Sequence, residues 1–174
     1  MDVAPSKDFF PPPPPPRPFF ERHRRLVFWL AVSFIVLWMA AIFVGSTTLL
    51  STANTVPIVF PLIERFFEHP DDPRIQTVHL VVRKMGHVAE YAILALLIAW
   101  ACSHARQPGL RSWGWFPAAL AVVAIYACTD EYHQTFVPGR EGALRDVLID
   151  VASGTAALLL LAGWRAVRRR RQFS

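Results

Sequence analysis

The chain has 174 residues, 53% of them in the apolar set AVILMFWYC, and its 18 basic against 13 acidic side chains leave a net charge of +5. So few charges among so many large apolar groups exclude a disordered, water-solvated polymer, and the length suits one domain. The basic excess would point to nucleic acid if it lay on a soluble surface, but the apolar runs described next place it beside a membrane and argue against that partner.

Residues 1–25 read as a basic, proline-rich cytoplasmic leader. Its six consecutive prolines at 11–16 demand a polyproline II spacer, because proline fixes φ and donates no hydrogen bond. An SH3-type ligand is the competing reading of that stretch. Residues 26–45, LVFWLAVSFIVLWMAAIFVG, carry no charge. At about 1.5 Å per residue this run matches a hydrocarbon core of roughly 30 Å, and predicts a transmembrane helix. A cleaved signal peptide competes, but the long leader and long run fit an anchor better. Residues 46–83 form an outer connection. Within it, VPIVFPLIERFF (56–67) is too short and too broken by Pro57 and Pro61 to span, and is expected in the outer interface. Three more spans are expected at 88–102, 113–127 and 147–164, each with polar residues at one end. No proline interrupts the chain between Ile75 and Pro108, so the second helix is expected to begin outside the membrane.

Charge fixes the direction. Twelve of the 18 Lys and Arg lie in the leader, in the connection between spans two and three, and in the basic tail 165–174; six lie in the other two connections. Because basic residues resist translocation, the expected fold is an all-α membrane protein: four transmembrane helices in a small bundle, residues 26–164, with both termini cytoplasmic. Cys102 and Cys128 then fall near opposite faces, so neither a disulfide nor a zinc site is expected.

Polar residues gather at the outer ends of three spans. Lys84, His87, Glu90 and Tyr91 are spaced to form one stripe on span two. Thr129-Asp130-Glu131-Tyr132-His133-Gln134 closes span three before a Pro138-Gly139-Arg140 turn. Asp146 and Asp150 are four apart and share a face of span four with Gly154. For any single member a local structural role is a fair alternative, such as Asp146 favouring a helix N-terminus. The whole collection points to a functional pocket, because an ionised side chain at mid-membrane costs about 2.5–3.5 kcal/mol on insertion scales.

At these residues the chain resembles the VanZ-like family of bacterial membrane proteins. The resemblance rests on K-x-x-H-x-x-x-Y at Lys84, His87 and Tyr91; on D-E-x-H-Q-x-F-x-P-G-R at Asp130, Glu131, His133, Gln134, Phe136, Pro138, Gly139 and Arg140; and on D-x-x-x-D-x-x-x-G at Asp146, Asp150 and Gly154. It spans roughly residues 45–165 and implies a multi-pass protein of the bacterial cytoplasmic membrane. The family's name implies a role in resistance to glycopeptide antibiotics such as teicoplanin.

Three functions compete. The first is an enzyme of the outer face acting on a lipid-linked or cell-wall precursor, with Glu131 or Asp130 as general base, His133 or His87 as its acid–base partner, and Lys84 and Arg140 holding a phosphate or carboxylate. Tyr91, Gln134, Asp146, Asp150 and Glu90 complete its binding residues. A divalent metal among His87, Asp130, Glu131 and His133 stays chemically open, but no metal ligand is assigned, because Glu131 and His133 are two apart and do not share a helix face. The second is a non-catalytic module that holds or shields an anionic envelope ligand, dominated by Lys84 and Arg140. The third, a proton-coupled carrier built on Glu90 and Asp150, ranks last, because the cytoplasmic halves of the spans carry no ionisable residue. Membrane lipids are the expected surroundings. His79 is a further candidate, whereas His23, His69 and His104 read as surface residues.

Overall fold

The computed structural model describes residues 18–47, 73–138 and 142–172, of which 92% are helical and none is in a strand. The polyproline stretch, the 56–67 segment, His69, Gly139 and Arg140 lie outside the described residues, as do the side chains of His79 and Trp113. Four long helices follow one another: α1 (Pro18–Ser46), α2 (Pro73–His104), α3 (Trp115–Gln134) and α4 (Leu144–Gln172). A π-helical turn, Leu110–Gly114, leads directly into α3.

The helices outrun the apolar stretches read from sequence. α1 begins eight residues before Leu26, because Pro18 suits the first helical turn and Glu21 complements the dipole there. Two turns of what reads as leader are therefore helix. α2, at 32 residues, is longer than a hydrocarbon core requires, and its surplus lies at its uninterrupted start, before Val81. α3 runs on through Gln134, so Thr129–Gln134 sit on the helix itself, and α4 carries most of the basic tail.

Contacts give the directions. Phe34 meets Trp100, and the Trp38 indole N–H donates to the Glu90 carbonyl at 2.9 Å, so α1 and α2 are antiparallel. The Tyr126 hydroxyl donates to the Met39 carbonyl at 2.5 Å and Ser46 meets Asp130, so α3 runs parallel to α1. Gly154 packs beside Val123 while Glu131 meets Ala143, which makes α4 antiparallel to α3 and parallel to α2. The four helices thus alternate in direction, with α2 packed against all three others.

Ala95, Ala99, Ala119, Val123 and Ala127 are fully buried together with Ile42, Tyr91, Leu94 and Leu158, whereas Trp29, Leu37, Ile125 and Leu160 are more than 60% exposed. Small residues between helices allow close approach, and bulky apolar groups facing outward suit lipid. Among the described residues, three helices are long and apolar enough to cross a membrane: Phe20–Ser46, Val81–His104 and Leu144–Gln172. α3 is 20 residues long, but its polar last six residues shorten its apolar stretch.

Gly154 sets the closest approach. A Cβ there would lie 2.9 Å from Val123 Cγ1 and 3.5 Å from the Tyr91 carbonyl oxygen. Gly154→Leu is therefore expected to wedge α4 from α2 and α3 at an overpacking cost of about 1–3 kcal/mol. A thermal melt in detergent will show a midpoint lowered by several degrees; an unchanged midpoint rules out this close packing.

Candidate functional site

α2 and α4 meet in register. Three positions on α2, Lys84, His87 and Tyr91, lie beside three on α4, Asp146, Asp150 and Gly154. The Lys84 ammonium is ion-paired with the Asp146 carboxylate. One turn along, His87 Nδ1 stands 3.6 Å from Asp150 Oδ2, too long for a hydrogen bond. One turn further, the Tyr91 backbone carbonyl packs beside Gly154. The i, i+3, i+7 stripe of α2 faces the i, i+4, i+8 stripe of α4 because parallel helices bring equal spacings together.

α3 adds its last turns from a third side, and its adjacent acids part company. Successive residues on a helix diverge by about 100°, so Asp130 and Glu131 face different neighbours. Both Asp130 oxygens are engaged: the Ser46 hydroxyl lies 2.5 Å from Oδ1, and the Gln134 amide donates to Oδ2 at 3.0 Å. Glu131 has one oxygen engaged, since the Ala143 backbone N–H donates to Oε2 at 2.9 Å. Its Oε1 is buried without a hydrogen-bond partner. Gly142 makes this approach sterically feasible, because a Cβ there would fall 2.4 Å from the Glu131 carbonyl oxygen.

The result is a buried trio. His87 (9% exposed), Glu131 (4%) and Asp150 (0%) come from three helices and bring one donor atom each to within 4.8 Å of one another. His87 Nδ1, Glu131 Oε1 and both Asp150 oxygens lack hydrogen-bond partners, as do the Tyr91 hydroxyl and Gln134 Oε1. Buried polar atoms in folded proteins are nearly always satisfied, and here several without a protein partner lie side by side.

Other expected members stand apart. His133 projects from a different face of α3 than Glu131, and its ring lies 4.4 Å from that of Phe43 on α1. This follows from the two-residue offset and separates it from the trio. Lys84 is occupied by Asp146, so it is not a free anion holder. Glu90 is half-buried on α2, and its backbone carbonyl accepts the Trp38 indole N–H. Arg140 lies outside the described residues. Sequence reasoning missed Ser46, the Ala143 N–H and Gly142. Ser46 looks like the end of an apolar run, and a backbone N–H has no sequence signature at all.

A separate cavity of about 950 Å³ opens at the opposite end of the bundle, lined by Arg22, Arg25, Trp29, His104 and Arg106 among others. Two histidines, His23 and His104, line it but no carboxylate does, in contrast to the trio's end. What the trio's end can do chemically is accept a proton at Glu131, with an imidazole and a second carboxylate alongside.

A model of the VanZ/LLP1 family matches residues 26–165, most of the chain, and the chain belongs to that family. No curated protein and no solved structure matches it.

Proposed function

We propose that this VanZ/LLP1 membrane protein is an enzyme of the outer face of a bacterial cytoplasmic membrane, acting on a lipid-linked or cell-wall precursor and so contributing to resistance against glycopeptides such as teicoplanin. The observation that carries the reading is the buried trio His87, Glu131 and Asp150 with its unpartnered atoms. Binding alone would not call for a half-unpaired carboxylate facing an imidazole, whereas a general base needs an oxygen left free of other donors. Glu131 takes the base role and His87 that of its acid–base partner, while Asp130, held by Ser46 and Gln134, steadies the end of α3 against α1.

The proposed topology is four spans with both termini cytoplasmic, α3 being the fourth crossing. Two findings support it. The helices alternate in direction, so the α1 start, the α2 end and the α4 end share one side, and that side holds most of the basic residues. The basic cavity there suits the headgroup of an anionic membrane lipid.

Purified protein in nanodiscs, mixed with an extract of bacterial lipids and cell-wall precursors, tests the reading. Mass spectrometry is expected to reveal a product formed by the wild-type chain and missing with Glu131→Gln. If both proteins retain one unaltered ligand, a binding or shielding module replaces the enzyme.

A further inference from the structure

We propose that His87, Glu131 and Asp150 together bind one divalent cation, an inference that rests on the preceding reading of the site and changes one role in it: Glu131 Oε1 would serve the ion as a ligand, and the proton acceptor would then be water carried by the ion. All three residues are buried, and each comes from a different helix, so no single helix surface explains their meeting. Their donor atoms lie within 4.8 Å of one another. Two ligands about 2.1 Å from a shared ion are about 3.4 Å apart at the tetrahedral angle and at most about 4.2 Å apart when opposite, so closing the shell takes a contraction of about 0.6–1.4 Å, within reach of side-chain rotation. The 3.6 Å between His87 Nδ1 and Asp150 Oδ2 already equals the chord that such a pair subtends at roughly 120°.

The unpartnered atoms make the case independent of proximity. Asp150 is fully buried, and neither of its oxygens accepts a hydrogen bond. The cationic partner set beside Asp150 is His87, charged only when protonated; with the imidazole neutral, and Lys84 paired with Asp146, the buried carboxylate needs another positive charge. Glu131 has its Oε2 fixed by the Ala143 N–H and its Oε1 free, the arrangement of an oriented monodentate ligand. Two carboxylates neutralise a 2+ ion, and one imidazole with two carboxylates suits Mn²⁺ or Zn²⁺. The buried Tyr91 hydroxyl and Gln134 Oε1 remain to hydrogen-bond water carried by the ion.

Chelator-stripped full-length protein in nanodiscs, titrated with Mn²⁺ and followed by electron paramagnetic resonance, tests this without reference to turnover. The expected result is loss of the free-ion signal to one Mn²⁺ per chain, with nitrogen modulation from a single imidazole. His87→Gln is expected to abolish that modulation, and Asp150→Asn to weaken binding at least tenfold. Calorimetry with Zn²⁺ repeats the titration. Wild-type protein that takes up neither ion overturns the proposal, as does Mn²⁺ bound equally well by both variants; circular dichroism confirms that each variant is folded. Turnover that survives chelation sinks the cation while leaving the acid–base reading intact. A bound cation with no precursor converted leaves the cation site standing and sinks the enzyme.

Discussion

Glu131→Gln is expected to cut turnover by about 10²–10⁴-fold, the range that a positioned general base supplies, while retention of the bound precursor changes little. Glutamine keeps the length of the side chain. Its amide oxygen can still accept the Ala143 N–H, which holds Oε2 at 2.9 Å in the native chain, so the α3–α4 junction should survive. Only the free oxygen facing His87 and Asp150 is exchanged for a donor that cannot take a proton. The neighbouring substitution offers a contrast. Asp130→Asn can keep both neighbours: its amide oxygen accepts from Gln134, and its N–H₂ donates to the Ser46 oxygen, whose own hydrogen turns to the Ile42 carbonyl 3.1 Å away. Because Asp130 has no free oxygen to lose, this variant should change both stability and turnover little. Single-turnover rates and thermal midpoints of the two variants, measured side by side, separate the roles; equal loss of turnover with unchanged stability in both would reject the assignment of Glu131 over Asp130.

Asp150→Asn carries the second large effect, and it runs in opposite directions for stability and function. The native carboxylate is fully buried with no hydrogen bond to either oxygen. Asparagine removes the charge, and its amide can donate to His87 Nδ1, which also lacks a partner. Chelator-stripped protein should therefore become more stable by about 1–3 kcal/mol, the cost recovered from an unsatisfied buried polar group, and melt several degrees higher. Turnover should vanish. A residue that weakens the fold and is indispensable to activity is a functional one. If the midpoint falls instead, Asp150 is a structural partner of His87 and the trio loses its functional meaning.

Much of the architecture was legible from residue chemistry. The uncharged run 26–45 and the uninterrupted stretch after Ile75 have one physical outcome in a membrane, and helices form over both. The 84–87–91 stripe followed from helical periodicity, as did the opposed placement of Glu131 and His133. What periodicity could not reveal was docking. That Lys84 faces Asp146 depends on α2 and α4 being parallel and in register, which emerges from four helices packing together. The unequal standing of Asp130 and Glu131 depends on Ser46 and Ala143, and neither a lone serine nor a backbone N–H announces its partner in a sequence. Helix ends were also underestimated, because apolar length measures the membrane and not the helix: α1 and α4 continue into charged residues once a helix has been nucleated.

The Ser46–Asp130 contact joins residues 84 positions apart, and Lys84 and Asp146 are separated by 62. Biogenesis feels those distances. His87 is made before the acids of α3 and α4, so its surroundings stay incomplete until α4 docks. α4 and the residue before it, made after α1 to α3, contribute Asp150 and the Ala143 N–H that orients Glu131, and so complete the trio together. A chain stopped before α4 therefore lacks Asp150, and one stopped before Ala143 also leaves Glu131 Oε2 without its backbone donor.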